Sequence, residues 1–554
     1  ATRVGPTGLI EKGRENLFAY SNDFSTAWGK SNTSVTSGQT GYDGSSDAWS
    51  LSVIPAASQH ILTYSASLSG VYTFSFYLKA GTLNSILMYL IGPNQGVRFN
   101  LATKSFLSYE GGGANIVDYS IEDLPNGWAR YSITSAIAMS SARIYLLDNL
   151  GNSVFTGSTS DNIYIQDAQL EVGLAATDYI ESGATTGKAG LLEDEPRFDY
   201  SGGATCPSLL LEPQRVQLLP QTEYFDGYSN VGSTDEPNAT TSPEGITNAT
   251  FLKEDTSTGI HLLSQSTTEA AGVYTASVFA KANGRDWLYL NIAASGSYAA
   301  SFNLSNGTTG TIQSNITSAT IENYGNGWYR CSITADTTTA AVSPRIAIYM
   351  STGDNVSSYT GDGTSGMYLY GFQLEEGSYP TSYIPNHSGG SATRTDELAT
   401  KTGLTSSINS TEGTMFLDFK ALANNLPSEY SYFSMTDGTY NNRISILQSI
   451  GANNRVRVFA FVGGTKVFDM NGSVTDITAQ TKVALRYAEN AFDLFANGVK
   501  VSTDTSGAIF PANTLDRVSF SEIGTTLSPF KGKVNQVLVF QEALSDADCI
   551  TLTT

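Results

Sequence analysis

The chain repeats itself at a period of roughly 200 residues, and this limits its architecture more than any other feature. Gly70-Val-Tyr-Thr-Phe-Ser-Phe-Tyr-Leu-Lys-Ala80 matches Gly272-Val-Tyr-Thr-Ala-Ser-Val-Phe-Ala-Lys-Ala282, and Asn126-Gly-Trp-Ala-Arg-Tyr-Ser-Ile-Thr134 matches Asn326-Gly-Trp-Tyr-Arg-Cys-Ser-Ile-Thr334. Gln169-Leu-Glu-Val-Gly173 matches Gln373-Leu-Glu-Glu-Gly377, and Glu11 and Arg14 align with Glu212 and Arg215. The offset drifts by a few residues, as loop insertions between fixed strands make it. Such a period is the size of a folded domain and far too long for a solenoid rung.

Runs such as Tyr72 to Leu78, Ile86 to Ile91, Arg130 to Ile133, Arg143 to Leu147 and Ile163 to Ile165 alternate or are apolar, with Gly, Asn, Ser or Asp between them. Short strands at this spacing predict antiparallel sandwiches or jelly rolls. Composition agrees: charged residues are 15% of the chain, with 53 glycines and 11% aromatics, where about 25% charged is usual.

The expected layout is all-β, with three tandem antiparallel β-sandwich domains of jelly-roll type. They span residues 1–184, 215–395 and 396–554, with a connector at 185–214. The connector is expected to be ordered because Leu191, Leu192, Phe198, Tyr200 and Leu209 to Leu211 are too apolar for a solvated tether. Ala392-Thr-Arg394 repeats Ala1-Thr-Arg3, which suggests that residue 1 also begins just after a domain boundary. In the last 150 or so residues, Asn497-Gly498 is expected to close a hairpin, and Glu542 to Asp548 to form a short helical turn.

Thirty Lys+Arg against 51 Asp+Glu leave a net charge of -21, which repels polyanions and argues against nucleic-acid binding. Three cysteines and three histidines cannot supply a repeated disulfide framework or a set of Cys/His metal clusters. No stretch approaches the apolar run of a membrane helix, and the start has no signal-peptide layout.

Glu11-x-x-Arg14-x-Asn16-Leu17, Tyr20-Ser-Asn-Asp-Phe24, Trp28, Asn126-Gly-Trp128, Gln169-Leu-Glu171 and Thr177-Asp-Tyr-Ile180, repeated in order as far as Gly371-Phe-Gln-Leu-Glu-Glu-Gly-Ser378 and Thr381-Ser-Tyr-Ile-Pro385, resemble the carbohydrate-binding-module-like domains of tailed-phage virion proteins. Phe492-Asp-Leu-Phe-Ala-Asn-Gly498 and Phe530-Lys-Gly-Lys-Val-x-Gln-Val-x-Val-Phe540 resemble the laminin-G/concanavalin-like lectin fold. The resemblance implies a non-enzymatic fibre or spike on the virion surface, with host cell-surface glycans and other virion proteins as partners. On the same grounds it implies a homo-oligomer, trimer first and dimer second. A purely structural capsid or tail component and a polysaccharide depolymerase are the rival readings.

Candidate sugar-stacking residues are Trp28, Trp49, Tyr228 and Trp287, because an aromatic face packs on the C–H face of a pyranose. Trp49 sits in a loop-like stretch, and Tyr228 lies in copy two near the place of Trp28. Trp128 and Trp328 occur in both copies and read as packing residues with Arg130 and Arg330 stacked across the indole. The duplicated His60 and His261 also suit a fold role. Glu171 and Glu375 are the only obvious duplicated acids for the paired carboxylates of glycoside hydrolysis, and their alternative role is as structural Ca2+ ligands or partners for Arg14 and Arg215; Asp354 and Asp362 are further oxygen donors, but no Ca2+-loop spacing is present and no cofactor is assigned. No Gly-x-Ser-x-Gly or duplicated His-carboxylate pair suggests a nucleophile, so no catalytic residue is assigned.

Overall fold

The computed structural model describes residues 1–292, 298–338, 344–424, 431–448, 454–525 and 528–554. Its sheets are antiparallel and pack in pairs around three apolar cores. In the first pair, Tyr72–Ala80 lies between Trp128–Ser135 and Asn162–Val172, and faces a sheet in which Met139–Leu147 lies between Ser85–Ile91 and Ser58–Leu68. The second pair reproduces this order. Val273–Asn283 lies between Tyr329–Asp336 and Gly366–Glu376, opposite Arg345–Ser351 between Trp287–Asn291 and Leu262–Ser266.

Strand periodicity places Tyr72, Phe74, Phe76 and Leu78 in the first core, all fully buried. The intervening Thr73 and Ser75 are fully buried as well, so the outer face of this sheet is also covered. The repeated Gln-Leu-Glu motif supplies the cover. Glu171 accepts hydrogen bonds from Thr177 N at 2.9 Å, Thr177 Oγ1 at 2.6 Å and Gln169 Nε2 at 2.6 Å, while Gln169 Oε1 accepts from Ile180 N at 2.7 Å. In the second copy Glu375 takes Thr381 N at 2.8 Å, Thr381 Oγ1 at 2.6 Å and Gln373 Nε2 at 2.8 Å, and Gln373 takes Ile384 N at 2.7 Å. Buried carboxylates need such partners, and here they fold the tail of each copy back over one sheet. Arg330 adds a bond to Thr381 O at 2.7 Å, as Arg130 does to Thr177 O. Of the two expected arginine partners, Arg215 comes within 3.5 Å of Glu375, whereas Arg14 turns to Glu244 at 3.4 Å.

The third pair of sheets centres on Glu412–Ala421, flanked by Thr481–Ala488 and Gly532–Phe540. The connector strand Ser208–Leu211 adds to this sheet beside Gly532–Phe540, and Leu211 enters the third core. Leu209 to Leu211, part of the apolar run that argues for an ordered connector, thus pair with a strand more than 300 residues later in the chain. Asn497 and Gly498 form the expected hairpin, both at positive φ (47° and 79°). The helix, expected within Glu542 to Asp548, instead runs over Asp546–Thr553. Ser545 caps it, Oγ accepting from Asp548 N at 3.2 Å, and Cys549 packs with Phe416 and Phe495.

One buried ionic node ties the segments together. Glu212 pairs with Arg197 at 2.6 Å and Arg394 at 2.8 Å and accepts from Ser382 N at 2.8 Å; Arg197 also reaches Glu397 at 2.5 Å and donates to Thr2 O at 2.7 Å. Burial alone raises the Glu212 pKa, but Arg394, Arg197 and the Ser382 hydrogen bonds hold it well below the ordinary 4.5. Glu212→Gln therefore leaves two buried guanidinium groups short of an anion. The expected loss is about 3–5 kcal/mol at neutral pH. Because the folded-state pKa is depressed, the stabilisation is present above the ordinary carboxylate pKa and is lost as pH falls below it. Thermal denaturation of wild type and variant should give midpoints that converge on acidification.

Candidate functional site

The four sequence candidates fall in different environments. Trp28 is a core residue, 4% exposed, with its ring against Phe18, Phe24, Tyr64 and Phe76 at 5.0–5.5 Å and Nε1 donating to Tyr20 O at 3.1 Å. Its faces are covered, so it offers no stacking platform. Trp49 belongs to the strand Ala48–Val53, not to a loop; it is half-buried against the same core and bonds Asn22 O at 2.9 Å. Tyr228 packs on Phe225 and Phe372, and its hydroxyl donates to Pro220 O at 3.0 Å. Burial pushes that phenol's pKa far up. Trp28 and Trp49 share one aromatic cluster around Phe24, while Tyr228 and Trp287 belong to the second sandwich.

The duplicated residues are structural. Trp128 and Trp328 are 1% and 2% exposed, each following an Asn-Gly turn with both residues at positive φ. The arginines stack on the neighbouring strand's rings, not on the indoles: Arg130 lies 5.1 Å from the Tyr77 centroid and Arg330 lies 5.4 Å from that of Phe279. His60 places its ring nitrogens 2.8 Å from Asn32 O and 2.9 Å from Phe155 O; His261 repeats this with Gly232 O and Tyr359 O. Each imidazole braces two loops.

Trp287 alone among the four lies on the outer face of the sheet opposite the clamp. In Trp287–Asn291, Leu288 and Leu290 point into the core, so Trp287, Tyr289 and Asn291 point out. Register sets Trp287 between Ser351 and Asn303, and Tyr289 between Tyr349 and Ser301. Tyr289 and Tyr349 meet edge to face at 5.5 Å and 78°. At Gly310 a Cβ would fall 2.6 Å from Trp287 Cζ3 and closer still to Asp354 Oδ1, so only glycine lets the chain pass between indole and carboxylate. Asp354 accepts from Thr311 N and Oγ1, both at 2.8 Å, and the backbone bond keeps its pKa below the ordinary value. Gln313 Nε2 donates to Asn355 Oδ1 at 3.0 Å, and Asn355 N to Ser301 Oγ at 3.0 Å.

Tyr289, Asn291, Ser301 and Ser351 are buried on this face, while Trp287 and Tyr349 are half-buried and Asp354 and Asn355 are exposed at its edge; partly open rings beside amide and carboxylate groups are the combination that holds a saccharide by its C–H face and its hydroxyls. It does not suit glycoside cleavage, which needs one desolvated acid with a raised pKa; Asp354 is exposed and shifted the other way. Among the described residues no three His, Cys, Asp or Glu side chains converge as a metal site requires. Tyr289 was legible in the alternation of Trp287-Leu-Tyr-Leu-Asn291, but Tyr349 joins it only through strand register. A cleft of about 1610 Å³ also opens where the N-terminal strand, the connector and the second and third sandwiches meet, lined by Ser201, Asn323, Tyr324, Tyr379 and Lys533. There Lys533 is committed to Asp199 at 2.7 Å.

No protein-family model matches the chain, and no curated protein matches it in sequence. Among solved structures it is similar to the CBM40 of the Ruminococcus gnavus IT-sialidase bound to α2,3-sialyllactose, with 22% identity over 26% of this chain and 83% of that one, at a TM-score of 0.23. It is also similar to the LG1-3 region of the laminin α2 chain, with 10% identity over 87% and 95% at a TM-score of 0.20. A SAP-like pentraxin from Limulus polyphemus matches with 16% identity over 26% and 71%, at 0.22.

One carboxyl group in the first sandwich has the raised pKa the open face lacks. Asp167, at a bulge with φ 49°, is 5% exposed and accepts from Tyr42 Oη at 2.9 Å beneath the stacked Tyr42–Tyr77 pair. Burial raises its pKa to about 7, outweighing the Tyr42 hydrogen bond. The neutral form is the one the fold favours, so its contribution is complete below pH 3.8 and fades as pH rises towards 7. Asp167→Asn should leave stability nearly unchanged at pH 4 and raise it by about 2–4 kcal/mol at pH 8, as measured by chemical denaturation at both pH values.

Proposed function

We propose that the chain is a non-enzymatic adhesin of a phage virion, a fibre or spike on the head or tail surface, that holds bacterial surface glycans through its sandwiches. The observation that carries the glycan reading is the half-buried indole of Trp287 on the same face as the half-buried Tyr349, with Asn303 next to it and the exposed Asp354 and Asn355 at the edge. The virion assignment draws on the ordered, twice-repeated motifs from Glu11 to Ile180 and from Glu212 to Ile384. Each such site is weak alone. A homo-oligomer, trimeric or dimeric, that presents several copies to one cell gains avidity without any new contact.

The burial of Trp28 and the packing of Trp49 and Tyr228 favour a second reading, a purely structural capsid or tail component. A glycan array probed with the intact chain separates the two: retention on defined neutral glycans is expected, and no retention at any printing density would favour the structural role. Trp287→Ala should weaken that retention by about tenfold or more, as loss of a central aromatic anchor does, while Trp49→Ala should affect thermal stability and leave affinity in place. Labelled antibody on intact particles should locate the chain at the virion surface.

A further inference from the structure

The two copies share one scaffold, yet the residues on their outward faces differ in charge. Strand register aligns them. Arg143 stands between Thr63 and Tyr89, and Ala347 occupies the same place between Ser264 and Asn291. One step along, Tyr145 and Leu87 correspond to Tyr349 and Tyr289, and Arg98 corresponds to Ser301. Trp287 itself replaces Ser85. On this face the second copy leaves Trp287 and Tyr349 half-buried, and the first leaves Arg143, Arg98 and Tyr89 half-buried.

The two arginines are not equivalent. Arg98 is neutralised by Glu110, with Nε at 2.9 Å and Nη2 at 2.6 Å. Arg143 has only the phenol of Tyr145, Nη1 to Oη at 3.1 Å. Among the described residues, seven arginines bury Nε without a hydrogen-bond partner. Six of them set an Nη group on a carboxylate or a backbone carbonyl, as Arg330 does on Thr381 O and Arg197 on Glu212. Arg143 is the exception, with a phenol oxygen in place of either; like Arg130 and Arg330 it has no carboxylate within ion-pair distance among the described residues. It is half-buried, and Tyr89 and Tyr145 meet edge to face at 5.8 Å beside it. A half-buried guanidinium whose donors meet only a phenol among the described residues keeps the capacity to take an anion.

We propose that this face of the first sandwich is a second saccharide site, specific for a carboxylate-bearing sugar, in which Arg143 holds the carboxylate and the half-buried Tyr89, backed by the buried Tyr145, holds the ring. The planar guanidinium carries donors that no carboxylate or carbonyl of the described residues takes up, a group suited to a carboxylate, and Tyr89 supplies the apolar contact. The inference rests on the glycan-binding reading above and adds that the duplicated modules take different sugars: acidic on the first, neutral on the second.

The test is calorimetric titration of the intact chain with an oligogalacturonate and with the same oligomer after carboxyl reduction. The oligogalacturonate should bind, the reduced oligomer should bind about tenfold to a hundredfold more weakly, and the difference should shrink at high salt. Arg143→Gln should abolish the preference, and Trp287→Ala should leave it intact. Tyr89→Ala removes a ring from the same face without touching the charge and should weaken both oligomers, so a misfolded Arg143 variant does not end the test. Equal binding of the two oligomers, or an unchanged preference in Arg143→Gln, would overturn the proposal. Trp287-dependent binding of neutral glycans with no uronate binding would overturn it while leaving the adhesin reading in place; absence of binding to every saccharide would overturn both.

Discussion

A carboxylate buried behind a sheet must have its acceptor sites filled by the protein, and in each repeated sandwich that requirement decides which surface remains open. Glu171 and Glu375 are met by the backbone and hydroxyl of a threonine six residues later and by the glutamine two residues earlier. Satisfying them draws the tail of each copy across one sheet, where Arg130 and Arg330 fasten it. That sheet is then buried on both faces. On the outer face of the opposite sheet a charge or ring can vary without disturbing the clamp, and there the proposed sites lie.

Polar groups also join the modules. Glu212 holds guanidinium groups from the connector and from the link after copy two, while Lys12, from the first copy's opening strand, reaches Glu223 at 3.1 Å and Glu244 at 2.6 Å in the second. The connector strand completes a sheet of the third sandwich. Such networks are demanding, since each member is costly without its partners. Their geometry fixes how the outer faces of the sandwiches stand relative to one another, the condition that the proposed avidity depends on.

The fold class was legible because two local signals agreed: period-2 alternation in runs such as Tyr72 to Leu78, and Gly/Asn turns such as Asn497-Gly498. Duplication then identified scaffold residues, correctly for Trp128, Trp328, His60 and His261, which are all buried. The converse inference, that an unduplicated tryptophan serves a ligand, failed for Trp28, whose environment of Phe18, Phe24 and Tyr64 is a packing solution private to the first core. Trp287 lies on an outer face as a candidate must, but its neighbours Tyr349, Asn303 and Ser351 come from separate strands and appear only through register. Arg143 was invisible for a different reason: an arginine's lack of a partner is a property of three-dimensional contacts, not of the residues beside it.

Duplication followed by divergence of one face explains why similar sequences carry dissimilar surfaces: Arg143, Tyr89 and Arg98 in one copy, Ala347, Asn291 and Ser301 in the other, on a common backbone. The central claim is that glycans are held on these outer faces and not in the cleft between modules. Hydroxyl-radical footprinting of the intact chain with and without bound polysaccharide measures this directly, because oxidation reports the exposure of individual aromatic side chains. Protection of Tyr89, Trp287 and Tyr349, with Tyr324 and Tyr379 in the cleft unchanged, is the predicted result. Protection confined to Tyr324 and Tyr379 would contradict it.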